Sequence, residues 1–223
     1  MLIDDHSRLE VLDSYDILYS AQEKLFDDLV ALAAYIFSVP VARIAFVAEQ
    51  QVWHKASVGL DAQQVLPLEQ SLCPRAITAP QPVLVYNHLL PTDAYNTEAM
   101  RQLKVQFYAG APIRTQQGQC LGTICLADYE PREFTEAEQQ LLLQLADLVM
   151  LALEARRQVL GSADAAGWEQ LRREAEEALH NQMAVVRYLK ARSAGQVPVP
   201  DELLEPIAKR LQEVADVLRI LPE

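Results

Sequence analysis

Between Gln106 and Thr135 the chain reads QFYAGAPIRTQQGQCLGTICLADYEPREFT, and this stretch leaves the fold little freedom. Val105 to Ile113 is one extended run, and Cys120 to Leu126 is a second, carrying Leu121, Ile124, Cys125 and Leu126. Apolar runs bounded by turn residues fit strands. The polar Gln116-Gln117-Gly118-Gln119 between them fits a turn, with Gly118 free to take positive φ. Thr135-Glu136-Ala137-Glu138 then has capping-box spacing, in which the Thr hydroxyl accepts a backbone N–H and the Glu carboxylate reaches back to the Thr N–H. A long helix follows to about Val159, with Leu141, Leu142, Leu145, Ala146, Val149, Leu151 and Leu153 recurring at helical spacing.

The earlier chain supplies the rest of a sheet and its cover. Arg8 to Leu12 is a short helical lead-in. Ser20-Ala21-Gln22-Glu23 has the spacing of a second capping box, and the helix expected from it places Leu25, Leu29, Leu32, Ala33 and Ile36 on one face. It ends near Ser38-Val39-Pro40, because proline disfavours helix in the residue before it. Val41 to Ala48 and Gln51 to Val58 read as a hairpin around Glu49-Gln50. Ser71 to Ile77 is a short helix, Pro82 to Tyr86 a strand, Asn87 to Asn96 a polar loop, and Thr97 to Leu103 one or two helical turns. Strands and packed helices in this order predict an α+β fold on an antiparallel sheet.

RLEVLDSYDI, PVARIAFV, QVWHKASVGL, SLCPRAI, VLVYN, FYAGAP, LGTICLAD and PREF stand in this order over about residues 6–158. In that order they resemble the GAF domain family, in the subgroup found ahead of bacterial histidine-kinase and cyclic-nucleotide signalling modules. The resemblance implies a pocket between the sheet and the segments covering it. Trp53, Cys73, Arg75, Tyr86, Phe107, Tyr108 and Cys125 are its expected lining, with Arg75 suited to an anionic ligand. Asn87, Asp93, Tyr95 and Asn96 are the expected lid. The same aromatics read equally as core and Arg75 as a surface ion-pair residue. Some GAF relatives attach bilin or reduce free methionine sulfoxide through cysteine, and neither group's surrounding motif is evident here. The ligand or cofactor is unknown at this level.

The linker-like stretch Gly161–Gly167 divides the chain into residues 1–160, a sensor domain, and residues 168–223, a helical hairpin. Trp168, Leu171, Ala175, Leu179, Met183, Val186 and Leu189 form one apolar stripe, and Leu203, Leu204, Ile207, Leu211, Val214, Leu218 and Leu221 a second. A hairpin with one apolar face per helix cannot cover itself, so a homodimeric four-helix bundle is expected. EEALHNQMAVVRYL resembles the first helix of a histidine-kinase dimerisation and phosphotransfer hairpin. Two registers are open. One puts Glu177 at the phosphoacceptor position and Asn181 at the following asparagine. The other makes His180 the acceptor and leaves Ala184 in the asparagine's place. A solvated polar residue on a helix is the simpler reading of His180.

With 31 acidic against 19 basic residues the net charge is −12, which leaves no basic face for nucleic acid or for anionic membrane surfaces. Three cysteines without framework spacing read as reduced thiols. MLIDDHSRLE has no basic segment followed by an apolar one, and no apolar run approaches a membrane span, so a cytoplasmic protein is expected. The four histidines lack metal-ligand spacing, and no glycine-rich nucleotide loop is present. The expectation is a GAF sensor coupled to the hairpin, whose partners are a second copy, a response regulator or histidine kinase, and a small-molecule ligand. An ATP-driven enzyme is not expected. The alternatives are a Cys73-dependent redox enzyme, phosphotransfer through His180, and a ligand-free adaptor.

Overall fold

The computed structural model describes residues 5–61, 65–160, 165–192 and 199–219. Its centre is a six-stranded sheet in the order β3-β2-β1-β6-β5-β4, every neighbouring pair antiparallel. The strands are β1 (Val41–Val47), β2 (Gln51–Val58), β3 (Val65–Pro67), β4 (Leu84–Tyr86), β5 (Phe107–Arg114) and β6 (Cys120–Asp128). The β5–β6 hairpin expected from Gln106 onward forms the middle of the sheet with β1, and Gly118 sits at φ +91° in its turn. The short edge strand β3 was not expected; its residues alternate exposed and half-buried, so they carry no apolar run.

Strand alternation divides the side chains between two faces. Ala42, Ile44 and Phe46 of β1 and Phe107, Ala109, Ala111 and Ile113 of β5 point to one face. Helices α2 (Lys24–Phe37) and α5 (Glu136–Leu160) cover it. Val41, Ala45 and Val47 of β1, with Tyr108 of β5 and Cys125 of β6, point to the other. There α3 (Cys73–Thr78), α4 (Glu98–Gln102) and the 3-10 turn Leu68–Gln70 provide the cover. α1 (Asp5–Asp13) runs beside the end of β6.

The capping box at Thr135 forms in full: Thr135 N–H donates to Glu138 Oε2 at 2.9 Å and Glu138 N–H to Thr135 Oγ1 at 3.2 Å. The one expected at Ser20 does not. α2 begins at Lys24 with Glu23 as a cap that makes no side-chain bond to the helix. The Glu23 carboxylate is instead claimed by buried Lys55, at 2.7 Å, and by Arg156 of α5, at 2.9 Å. Lys55 Nζ also donates to Ser20 Oγ, so both box residues serve one long-range ion cluster.

The C-terminal hairpin consists of α6 (Ala165–Arg192) and α7 (Asp201–Arg219). The linker expected at residues 161–167 lies outside the described residues at 161–164, and its remainder opens α6. Ala175, Leu179 and Val186 of α6, and Leu203, Leu204, Ile207, Leu211, Val214 and Leu218 of α7, are buried in the same core as α2 and α5. A second copy was expected to cover these stripes; in the structure α2 and α5 of the same chain cover the residues just named, while Leu221 and the side chains of Trp168, Leu171 and Leu189 lie outside the described residues. The reason is visible in α2 (KLFDDLVALAAYIF) and α5, which bury apolar side chains toward the sheet and also away from it. A helix apolar on most of its circumference needs cover on both sides. The result is one continuous stack of sheet, α2 with α5, and α6 with α7.

Candidate functional site

On the face opposite α2 and α5, a cavity of about 60 Å³ lies between β1, β2, β5 and β6 beneath and α3, α4 and the 3-10 turn above. Its polar lining comes from separate elements: Arg43 of β1, His54 of β2, Cys73 of α3, Tyr108 of β5, Cys125 of β6, and Gln70 and Ser71. Met100 and Leu103 lie at the α4 side, where Leu103 is 42% exposed. The cover is fixed by Gln70: its carbonyl accepts from Thr97 Oγ1 at 3.1 Å and its side chain accepts the Ala99 N–H at 2.9 Å.

The polar groups converge on Cys73. Thr123 Oγ1 donates to Cys73 Sγ at 3.2 Å, and Tyr108 Oη approaches the same sulfur at 3.9 Å. Cys125 stands two residues along β6 from Thr123, on the same face, and lines the same cavity as Cys73. Arg43 is the Cα partner of Cys125 across the β1–β6 pair; its guanidinium bonds Ser57 Oγ at 3.1 Å and contacts His54 Nε2 at 3.3 Å. Room for the Tyr108 ring comes from Gly110, two residues on, where a Cβ would stand 2.5 Å from the tyrosine oxygen.

These contacts separate the two thiols electrostatically. The hydrogen bond from Cys125, followed by those of Ser71, Thr123 and Tyr108, lowers the Cys73 pKa to about 6 against the opposing effect of burial. The same bond, together with burial, raises Cys125 well above the ordinary thiol range. Burial and the neighbouring sulfurs raise Tyr108, and burial lowers Arg43. Cys73 is therefore the anion of the pair and Cys125 the proton donor.

Of the residues expected to line a pocket, Cys73, Tyr108 and Cys125 meet in this cavity. Trp53 and Phe107 do not. Trp53 points to the helix face, stacked on Phe46 with ring centroids 6.3 Å apart, and Phe107 packs there against Phe134. Arg75 is exposed on the outer side of α3, in a shallow depression that also holds Tyr86, outside the cavity. Tyr86 stacks on Tyr95 at 4.4 Å. Asp93 accepts the Leu90 N–H and Asn96 donates to the Leu90 carbonyl, so both brace the loop itself. Asn87 turns away toward the β6–α5 connection. Arg43, His54 and Thr123 were not foreseen, because they stand on strands buried along nearly their whole length, where no burial alternation marks one face. His180, Glu177 and Asn181 are all exposed on α6, on the side away from Ala175, Leu179 and Val186. Among the described residues no group of His, Cys, Asp and Glu has metal-binding geometry, and no helix is long and apolar enough to cross a membrane.

A covered antiparallel sheet with a pocket under short helices is the arrangement implied by the resemblance, and the pattern of the GAF domain matches residues 22–153. The chain belongs to the GAF domain family. A cyclic di-GMP phosphodiesterase of Pseudomonas aeruginosa is 33% identical over 156 residues, 69% of this chain. The match spans 26% of that relative's length. Among solved structures, the blue-light absorbing form of the Thermosynechococcus elongatus PixJ GAF domain aligns over 74% of this chain and 96% of its own, with a TM-score of 0.50 and 18% identity. The chromophore-binding domain of a bacteriophytochrome from R. palustris aligns over 70% of this chain and 64% of its own, with a TM-score of 0.51 and 12% identity. At these identities the structural likeness establishes the fold.

Proposed function

We propose that this GAF protein is a sensor in bacterial signal transduction, in which the state of the cavity governs how the α6–α7 hairpin is held. The observation that carries the reading is a chain of hydrogen bonds that begins at the end of β4, whose Tyr86 pairs with Tyr108 of the cavity, and runs to the hairpin. Asn87, where β4 gives way to the loop, donates to Glu133 and accepts the Phe134 N–H. Its carbonyl accepts the Arg132 N–H at 3.0 Å. Arg132 donates to Glu138 Oε1 at 2.5 Å, and the same oxygen accepts the Val199 N–H at 3.2 Å, just ahead of α7. A change at the cavity that shifts β4 or the 87–96 loop thus has a short covalent and hydrogen-bonded route to the base of α7. Such a switch requires the signal to bind the two hairpin states with different affinity.

In the signalling state the hairpin leaves α2 and α5, and its stripes become available to a second copy or to a response regulator or histidine kinase. The kinship with a cyclic di-GMP phosphodiesterase supports a signalling context. Exposed His180 supports a second reading, phosphotransfer, since an acceptor imidazole must reach a partner's active site.

The test perturbs the cavity and reads the hairpin. Gly110→Ala drives Tyr108 off its place above the strand. Amide exchange is then followed along the chain. Faster exchange at Val199–Leu204, with β1 and β6 unchanged, is the expected result. A change confined to the pocket face would reject the coupling.

A further inference from the structure

Cys73 and Cys125 come from different elements, meet in the core of the pocket face, and are both buried among the residues of the small cavity. We propose that they form a redox dithiol which a small hydroperoxide, tested as hydrogen peroxide, oxidises to an intramolecular disulfide, with Cys73 the attacking sulfur and Cys125 the resolving one. The proposal deepens the sensor reading by naming the chemistry that the cavity senses.

Three observations point this way. The first is the convergence of donors on one sulfur: the Thr123 hydroxyl at 3.2 Å and the Tyr108 hydroxyl at 3.9 Å both face Cys73 Sγ. A thiolate is the reactive form of cysteine, and donors of this kind with a nearby cation stabilise it. Arg43, the Cα partner of Cys125 across the β1–β6 pair, is the cavity's cation, and none of the cavity-lining residues is Asp or Glu. The second is the position of Cys125, which lines the same small cavity two residues along β6 from Thr123, whose hydroxyl bonds Cys73 Sγ. The third is size. Pockets for nucleotide-sized ligands run to roughly 300–1,000 Å³. The volume here is about 60 Å³, room for a molecule of a few heavy atoms.

The chemistry balances with the peroxide as the sole oxidant. The Cys73 thiolate attacks one peroxide oxygen; the S–O bond forms as the O–O bond breaks, and the departing oxygen leaves as hydroxide and is protonated to water. Cys73 is then a sulfenic acid. Cys125 gives up its proton and its sulfur attacks Cys73 sulfur; the S–S bond forms, the S–O bond breaks, and the second oxygen leaves as water with that proton. The peroxide gains two electrons and the two thiols lose them. Formation of the disulfide draws α3 toward β6, and α3 carries the cavity's cover.

The experiment uses the full reduced chain, treated with stoichiometric hydrogen peroxide, quenched with N-ethylmaleimide and digested without reductant. The expected products are a peptide linking Cys73 to Cys125 and a peptide in which Cys120 is alkylated. With Cys125→Ser the reaction should stop at a dimedone-reactive sulfenic acid on Cys73. With Cys73→Ser, Cys125 should remain alkylated. If all three thiols of the wild-type chain are alkylated after peroxide, or the linkage involves Cys120 or a second molecule, the proposal is overturned. The mapping on the wild-type chain decides this even where a variant fails to fold. It reads no property of the hairpin, so its failure leaves the coupling to α7 standing, and loss of that coupling leaves the dithiol standing.

Discussion

Replacing Glu138 with alanine should be among the most damaging single changes in the chain. Its carboxylate is fully buried and holds three donors: Arg132 Nη2, the Thr135 N–H and the Val199 N–H. Arg132 is itself buried, over the rings of Phe107 and Phe134, and its remaining partner is the Phe37 carbonyl. Removing one member of a buried ion pair costs about 3–5 kcal/mol, because the other charge is left in a medium that solvates it poorly. Loss of the helix cap adds about 1 kcal/mol. Near 5 kcal/mol in all, the melting temperature of a chain this size should fall by roughly 10–20 °C. Urea denaturation followed by circular dichroism measures the cost. Arg132→Met in the Glu138→Ala background removes the stranded charge, so the double variant should be more stable than Glu138→Ala alone. A Glu138→Ala cost below about 1 kcal/mol, the range of an exposed pair, would show that the carboxylate carries no buried charge pair, as would failure of Arg132→Met to restore stability.

Other consequences are as direct. Cys73 ionises at about 6 in the folded chain and near 9.0 when free, so its ionised form contributes stability that is complete above pH 9 and lost as pH falls through 6. The urea midpoint of the reduced protein should rise between those limits, and the rise should vanish in Cys73→Ser. Gly122→Ala would put a Cβ 2.0 Å from the Ala45 carbonyl oxygen in the central β1–β6 pair, and should cost about 3 kcal/mol or more. Gly118→Ala meets open space, but at φ +91° it should cost about 1–2 kcal/mol from backbone strain alone. His180→Ala should leave stability within about 0.5 kcal/mol of wild type, since the side chain is exposed; any effect on transfer of phosphate from a receiver or kinase is then read without a folding artefact.

What the sequence revealed followed the range of the interactions involved. The Thr135–Glu138 box was legible because both its hydrogen bonds lie within four residues. Ser20–Glu23 has the same spacing, but Lys55 and Arg156 take the carboxylate, and nothing local announces them. The central strands were legible as apolar runs. Their facing was not, because β1, β5 and β6 are buried on both sides and the usual alternation of apolar with polar residues is erased. That is why Trp53 and Phe107 were grouped with Cys73 and Tyr108, although the sheet separates them, and why Arg43 was not foreseen. The hairpin's stripes were legible, while their cover was hidden in the circumferential hydrophobicity of α2 and α5.

One chain covers its own hairpin. Residue-resolved amide exchange of the wild-type protein across a roughly hundredfold range of concentration distinguishes this from cover by a second copy, because cover by a second copy obeys mass action and cover within the chain does not. Leu179, Val186, Leu211 and Val214 should be strongly protected, and that protection should be unchanged on dilution. Protection at these positions that falls as the protein is diluted, while the sheet stays protected, would contradict it.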